Sequence, residues 1–408
     1  MCKLGSENVN YLGMNMPPPF SVGEYNNRAA KVRAVMKQQG LDALMIGNPD
    51  NINWLTGYDA WSFYTPQMML IDLNDNGIYW FGREMDAGAA KFTTYLSEKQ
   101  VIGYPEDLVQ RPDEHPSLYI SNWMKKSGYA GYTIGLETDS YFTSPRSLKN
   151  LQSSLNNVKW LEADQLVNWV RVVKSKAELS MMRQAATIAD IAMKTAYEGT
   201  MVGVRQCDLM ADIVASQIKG TKDFGGDMPA LHPLILAGEA ASTAHPLWND
   251  DRLKSEQTIA FELGGCRKRY NVGLARTVHL GRSKPKKLNE TSKAVSEGMH
   301  AVMNKLKAEV TTGEVHKAWQ KVLDRYGLEK KSRIGYSIGV GYAPDWGEQT
   351  LSFRAHEKTI VPEDAVVHII LGMWMDGWGM ELSETIHVKR QSSSRLSKFS
   401  QEVQLIIE

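Results

Sequence analysis

A chain of 408 residues, 43% hydrophobic and 23% charged, is long enough for more than one hydrophobic core and has neither a disordered nor a membrane composition. Its 47 basic and 46 acidic side chains leave a net charge of +1. That balance excludes a general electrostatic drive toward nucleic acid or anionic membrane, and it suits a small neutral or zwitterionic partner.

Met1 to Pro19 has no basic start followed by an apolar run, so residues 1–19 are read as an arm and not as a secretory signal. No segment reaches the roughly 20 apolar residues of a membrane span. Cys2, Cys207 and Cys266 lack metal-type spacing, which predicts reduced thiols and a cytoplasmic setting. Cys266 beside Glu262 reads as a small packing residue or, alternatively, as a nucleophile.

From Val22 to Gln39, Ala29, Val32, Val35 and Met36 form one stripe and Gly40 follows, which predicts an amphipathic helix. LDALMI, QMMLIDL, GIYWF, TIGLE and VKWLEAD read as strands, with helical stretches near 84–98 and 115–127. Such alternation predicts an α/β first domain over 20–167. Beyond a boundary near residue 168, helices come in pairs before strands twice: 177–197 with 205–218, then 287–308 with 313–326. This faint duplication predicts two similar halves in a second domain over 168–408.

The strand IAFELGG delivers Glu262 next to Gly264 and Gly265, where backbone can come close to a ligand. The alternative is a strand-end glutamate in a surface ion pair. His245 lies in a turn-rich segment before that strand; it is either a proton carrier or a hydrogen-bonded structural histidine.

Three stretches carry a family resemblance: RVVKSKAELSMMRQA at 171–185, TAHPL at 243–247 and LARTV at 274–278. They resemble the creatinase, aminopeptidase P and prolidase family, over nearly the whole chain. The resemblance implies an α+β pita-bread catalytic domain preceded by a smaller α/β N-terminal domain, with His245 in the active-site histidine role. The family's metallopeptidases hold two metal ions with two aspartates, a histidine and two glutamates. Here the aspartate positions fall on Glu262 and Gly273, and the histidine on Tyr336 of GYSIG. The first glutamate falls near Ile370, and the second on Ser383 or Glu384. One glutamate among glycine, tyrosine and isoleucine does not supply the ligands a divalent pair needs, so no metal and no cofactor is expected.

Within the family, NINWLTGYDAWSFYTPQ, ELGGCRKRY with LARTVHLG, and GYSIGVGYAPDWGEQTLSFR look like the ectoine hydrolase branch. That resemblance implies a metal-independent hydrolase opening the ring of ectoine to N-acetyl-L-2,4-diaminobutyrate. Glu262 is then nucleophile or base, and His245 the proton shuttle. An amidinium carboxylate needs aromatic faces, an anion and a cationic clamp. Trp61, Phe63, Tyr64, Tyr336, Trp346 and Trp374 are the aromatic candidates, and Asp345, Glu348, Glu381 and Glu384 the anions. Arg276 or Arg354 is the clamp, with Arg276 and Glu384 preferred. Family members imply a homodimer in which the N-terminal domain covers the partner's site. The alternatives are a creatinase-like enzyme for guanidinium compounds, an Xaa-Pro metallopeptidase, and a non-catalytic binding protein.

Overall fold

The computed structural model describes residues 17–111 and 113–407; most of the arm, including Cys2, lies outside the described residues. Contacts divide the chain into two compact units between Val170 and Arg171.

In the first unit, helix α1 (Val22–Gln38) starts at Ser21, whose side chain accepts the Glu24 N–H, and buries Tyr25, Ala29, Val32 and Met36. Next come β1 (Ala43–Ile46), α2 (Pro49–Thr56), β2 (Met68–Asp72), β3 (Ile78–Arg83), α3 (Glu84–Thr93), β4 (Val101–Tyr104) and α4 (Pro116–Lys126). The unit is completed by β5 (Thr133–Leu136), α5 (Pro145–Ser154) and β6 (Lys159–Glu162), before the short α6 (Leu166–Arg171). The strands form one mixed sheet ordered β4-β3-β2-β1-β5-β6. Pairs β1–β2 and β2–β3 run antiparallel, and β3–β4, β1–β5 and β5–β6 parallel. Met45, Leu70, Phe81, Ile120, Met124 and Ile134 fill the core between sheet and helices.

The second unit opens with α7 (Lys176–Gly199), started by a reciprocal cap between Ser175 and Glu178, then α8 (Gln206–Lys219). Strands β7 (Leu234–Ala237), β8 (Gln257–Arg267) and β9 (Tyr270–Leu280) follow. A second helix pair, α9 (Lys286–Lys305) and α10 (Thr312–Tyr326), precedes β10 (Gly335–Ile338), β11 (Gly347–Ser352) and β12 (Val366–Ile370). The small hairpin of β13 (Met373–Met375) and β14 (Trp378–Met380) leads to β15 (Ser383–Val388), β16 (Ser393–Arg395) and β17 (Gln404–Ile406). Two sheets result, β17-β9-β8-β7 and β11-β10-β12-β15-β16. Each helix pair thus precedes its own sheet, the arrangement expected from the duplicated pattern.

Helix α10 ends on Gly327, whose φ of 64° is the left-handed conformation that glycine adopts without penalty. Gly265 has a different reason. A Cβ there would lie 1.9 Å from the Ala185 carbonyl oxygen, so only glycine lets the α7 backbone rest directly on β8. Among the described residues, no helix is long and apolar enough to cross a membrane.

Candidate active site

Glu262 sits opposite Ala275 of β9 and Leu234 of β7. Residues opposite one another in antiparallel strands share a face, and faces alternate along each strand. Glu262, Gly264, Gly273, Ala275 and Thr277 therefore look one way, while Phe261, Gly265 and Arg276 look toward the α7 side. On the first face, Trp346 lies against Gly264, where a Cβ would meet its ring at 2.6 Å. His368 lies against Gly273, where a Cβ would meet its ring at 2.8 Å. The glycines expected to admit a ligand in fact admit a tryptophan ring at Gly264 and a helix backbone at Gly265.

A chain of hydrogen bonds crosses this face. Trp346 Nε1–H donates to the Tyr336 hydroxyl at 2.9 Å, and that hydroxyl is 3.1 Å from His368 Nδ1. His368 Nε2 is 2.7 Å from Ser383 Oγ, which accepts the Ala275 N–H at 2.6 Å. Pairing of β10 with β12 sets Tyr336 directly opposite His368. Burial pulls His368 down to about 3, so its imidazole is neutral at any working pH. Burial also raises the Tyr336 phenol, and the Glu262 charge raises it further.

A second carboxylate joins Glu262. Thr277 Oγ1 accepts the Glu381 N–H at 2.8 Å and donates to the Glu381 carbonyl at 3.0 Å, tying this residue to β9. Trp374 Nε1–H donates to Glu381 Oε1 at 2.8 Å, whereas Oε2 has no partner although the residue is only 1% exposed. Burial pushes Glu381 up to about 7, opposed by the Trp374 bond and the Lys330 charge. Glu262, 4% exposed, is pushed well above the usual carboxylate range by burial and then by Glu381. Two acids in one dry site do not both ionise easily, so the pair titrates as a unit and holds a proton near neutrality. Beside them, burial lowers Lys330 to about 8; its Nζ bonds the Gly372 carbonyl at 2.8 Å and stands 4.0 Å from the Trp374 ring centroid.

Several expected roles change. Arg276, preferred as the carboxylate clamp, points to the opposite face. Its guanidinium donates to Glu384 Oε1 at 2.7 Å and to the carbonyls of Ala275, Ser383, Ser400 and Phe399. Glu384, the preferred amidinium partner, is consumed by Arg276, Arg395 and Gln401. Glu348 is buried against Lys174, with both oxygens within 2.9 Å of Nζ. Asp345 is half-buried and caps the Gly347 N–H, and Arg354 is exposed beside Ser352. One face of Trp374 is already taken by Lys330. The side chain that β12 offers to Tyr336 and Ser383 is His368, two residues before the expected Ile370.

His245 is exposed in the coil after the turn Gly238–Ser242, and no hydrogen bond joins it to Glu262 among the described residues. That turn packs against Gly379 of the β13–β14 hairpin, where a Cβ would strike the Ala241 carbonyl. In the first unit, Trp61 and Tyr64 are 57% and 71% exposed, and the Phe63 ring packs tilted against Trp61 and edge-on to Phe142. Cys266 is buried in β8. His368, Thr277 and Lys330 went unnoticed as site residues. For His368 a signal existed, a histidine interrupting the apolar run AVVHII.

The residues that the family resemblance matches to the metal-pair ligands are Glu262, Gly273, Tyr336, Ile370 and Ser383 or Glu384, and Glu384 is bound to Arg276, Arg395 and Gln401. That leaves one carboxylate, a phenol and a hydroxyl, and the ring of His368 fills the space a side chain at 273 would need. Hard divalent ions need several anionic oxygens, so this set does not fit a bimetallic centre. Among the described residues, no group of three or more histidine, cysteine, aspartate or glutamate side chains is placed to hold a metal ion.

Residues 180–390 match metallopeptidase family M24, and residues 28–173 match the creatinase/prolidase N-terminal domain. An uncharacterized hydrolase/peptidase of Sinorhizobium fredii is 37% identical, covering 90% of this chain and 94% of its own. The ectoine hydrolase of Halomonas elongata is 34% identical, covering 94% and 98%. The fold is that of the X-Pro aminopeptidase from Thermotoga maritima, with a TM-score of 0.78 at 18% identity over 93% of this chain and 99% of that one.

Proposed function

Since the chain belongs to metallopeptidase family M24 and carries a creatinase/prolidase N-terminal domain, we propose that this hydrolase opens the ring of a small cyclic amidine, with ectoine as its substrate, without a metal pair. The observation that carries the reading is the buried Glu262 and Glu381 pair, set among Tyr336, Trp346 and Trp374. The 34% identity to an ectoine hydrolase along nearly the whole chain supports the same substrate.

An amidinium carbon already shares positive charge, so oxygen attack there needs less Lewis-acid help than attack on a neutral peptide. Glu381, with its unpartnered oxygen, offers the anion for the cationic ring. Glu262 acts at the amidinium carbon, as nucleophile or as the base that takes a proton from water. One water is consumed: its oxygen becomes bonded to the former amidinium carbon, one carbon–nitrogen bond breaks, and the departing nitrogen receives a proton through His245. In place of Arg276, we assign the substrate carboxylate to Arg333, whose guanidinium lies 4.6 Å over the Tyr336 ring. Trp61, Phe63 and Tyr64 are assigned to covering the site of a second subunit in a homodimer.

Incubating purified, chelator-treated protein with ectoine tests the reading. N-acetyl-diaminobutyrate is expected at undiminished rate after chelation. No product from ectoine, or turnover of Xaa-Pro dipeptides restored by manganese or cobalt, would reject it.

The acid pair also sets the pH dependence. Glu262 works ionised and burial raises its pKa, so protonation switches it off as pH falls. The acid limb of kcat/KM is therefore expected well above the ordinary carboxylate range. A bound amidinium favours the ionised pair, so the limb in kcat is expected at lower pH than the limb in kcat/KM. Initial rates across pH 4–9, taken under both conditions, check the displacement; coincident limbs near the usual range of about 4 would contradict it.

A further inference from the structure

The bonds around Tyr336 have a direction, and it follows from which groups can only donate. Trp346 Nε1–H and the Ala275 amide have no acceptor lone pair to offer. The Tyr336 oxygen must therefore accept from Trp346, and Ser383 Oγ must accept from Ala275. The Ser383 hydroxyl still has one proton to place, in a residue with no exposed surface. Its remaining contact is His368 Nε2, at 2.7 Å.

Two arrangements are conceivable for a neutral imidazole. If His368 carries its proton on Nε2, that proton goes to Ser383 Oγ and the Tyr336 proton goes to Nδ1. The Ser383 proton then has no acceptor, a fault costing about 1–3 kcal/mol for a buried donor. If the proton is on Nδ1, the fully buried Ser383 and His368 both place their protons, and only the half-buried Tyr336 keeps one unplaced. Ser383 donates to Nε2, Nδ1–H donates to the Tyr336 oxygen, and that oxygen accepts twice. The phenolic proton is then the one left over. Trp346 against Gly264 and His368 against Gly273 hold the Tyr336 hydroxyl over β8 and β9, one step along the face that carries Glu262. Burial, which keeps His368 neutral, prevents a doubly protonated ring from escaping the choice.

We propose that the Tyr336 hydroxyl is a catalytic hydrogen-bond donor to the oxygen that becomes bonded to the former amidinium carbon. Ser383 and His368 are positioning residues: they fix the tautomer that leaves this proton free. The inference rests on the amidine reading above. A donor preset at the point where negative charge gathers needs no reorganisation during reaction, which is where such groups gain their effect. The backbone amide of Ala275 anchors the relay, on the strand position directly opposite Glu262. Nucleophilic acid and donor are therefore held in register by the same pair of strands.

The tautomer can be read in the unmodified protein by nitrogen NMR on 15N-histidine-labelled material. A neutral His368 protonated on Nδ1 is expected; protonation on Nε2 overturns the proposal, and no substrate is needed for the measurement. Kinetics give the second arm. Tyr336→Phe is expected to lower kcat about 10²-fold, the usual effect of removing one such donor, with KM changed no more than about 3-fold. Ser383→Ala is expected to lose part of kcat, and Ser383→Thr, which restores the hydroxyl, to regain it. Wild-type kcat in Tyr336→Phe, or equal loss in the alanine and threonine variants, counts against the relay. Failure of the wild-type protein to turn over any amidine would sink the substrate reading alone, since the tautomer is measured separately.

Discussion

Glu262→Gln is expected to lower kcat by about 10²–10⁴-fold, the range lost with an essential acid or base, while the protein keeps its full thermal stability. The amide is isosteric with the protonated carboxyl, and burial already drives Glu262 toward that neutral form. The substitution therefore removes the ionisable oxygen without leaving a hole or stranding a partner. Wherever Glu262 is ionised, the amide relieves a buried charge beside Glu381, so unfolding should be no easier than in the wild type. Steady-state rates on ectoine and a thermal melt at the same pH separate these effects. A melt unchanged with kcat near normal would remove Glu262 from the chemistry; a melt lowered by several degrees would assign it a structural role. The nucleophile and base readings diverge in His245→Ala, where slow proton delivery to the departing nitrogen should let the covalent adduct of a carboxylate with the amidinium carbon accumulate. Intact-protein mass spectrometry after a short incubation would then find the added mass on Glu262 if it is the nucleophile, and none if it activates water.

What the sequence revealed about this site depended on the length scale of the signal. The apolar stripe of α1, the helix pairs of the second unit and the strand that carries Glu262 could all be read from periodicity, because packing imposes period 3.6 or 2 over many residues. The short α2 and α5 were not anticipated, although Asn48 before Pro49 and Ser144 before Pro145 are capping signals. The family resemblance matches a ligand position to Ile370, which pairs with Ser383, and His368, two residues earlier on the same strand face, bonds Tyr336 and Ser383. Which residues sit opposite one another depends on the register between β10, β12 and β15, and that register is written in no single segment. Glu381 was one acid among four candidates. Only the structure shows the Thr277 clamp on Glu381 and that Glu348 and Glu384 are spent on cations, Lys174 for the first and Arg276 with Arg395 for the second.

Arg276→Leu is expected to cost about 3–5 kcal/mol of stability, the range for removing one partner of a buried ion pair. A substrate clamp would behave differently. Arg276 is on the α7 side of β9, opposite in facing to Glu262, and its donors reach Glu384 and four backbone carbonyls drawn from β9, β15 and the segment before β17. Removing it strands those carbonyls and leaves Glu384, whose Oε2 already lacks a partner, with Arg395 and Gln401 alone. Urea unfolding should therefore show a lower midpoint, while KM for ectoine in the folded fraction stays within about 3-fold of wild type. Adding Glu384→Leu to the same chain should recover part of the loss, because a buried charge pair is often replaceable by apolar side chains whereas half of one is not. Arg276→Lys gives the sharpest contrast. A lysine keeps the charge but cannot reach five acceptors in a fixed fork, so a structural role predicts a destabilised protein with ordinary KM. A stable Arg276→Lys protein with KM raised tenfold or more would restore Arg276 to the substrate and displace Arg333 from that role.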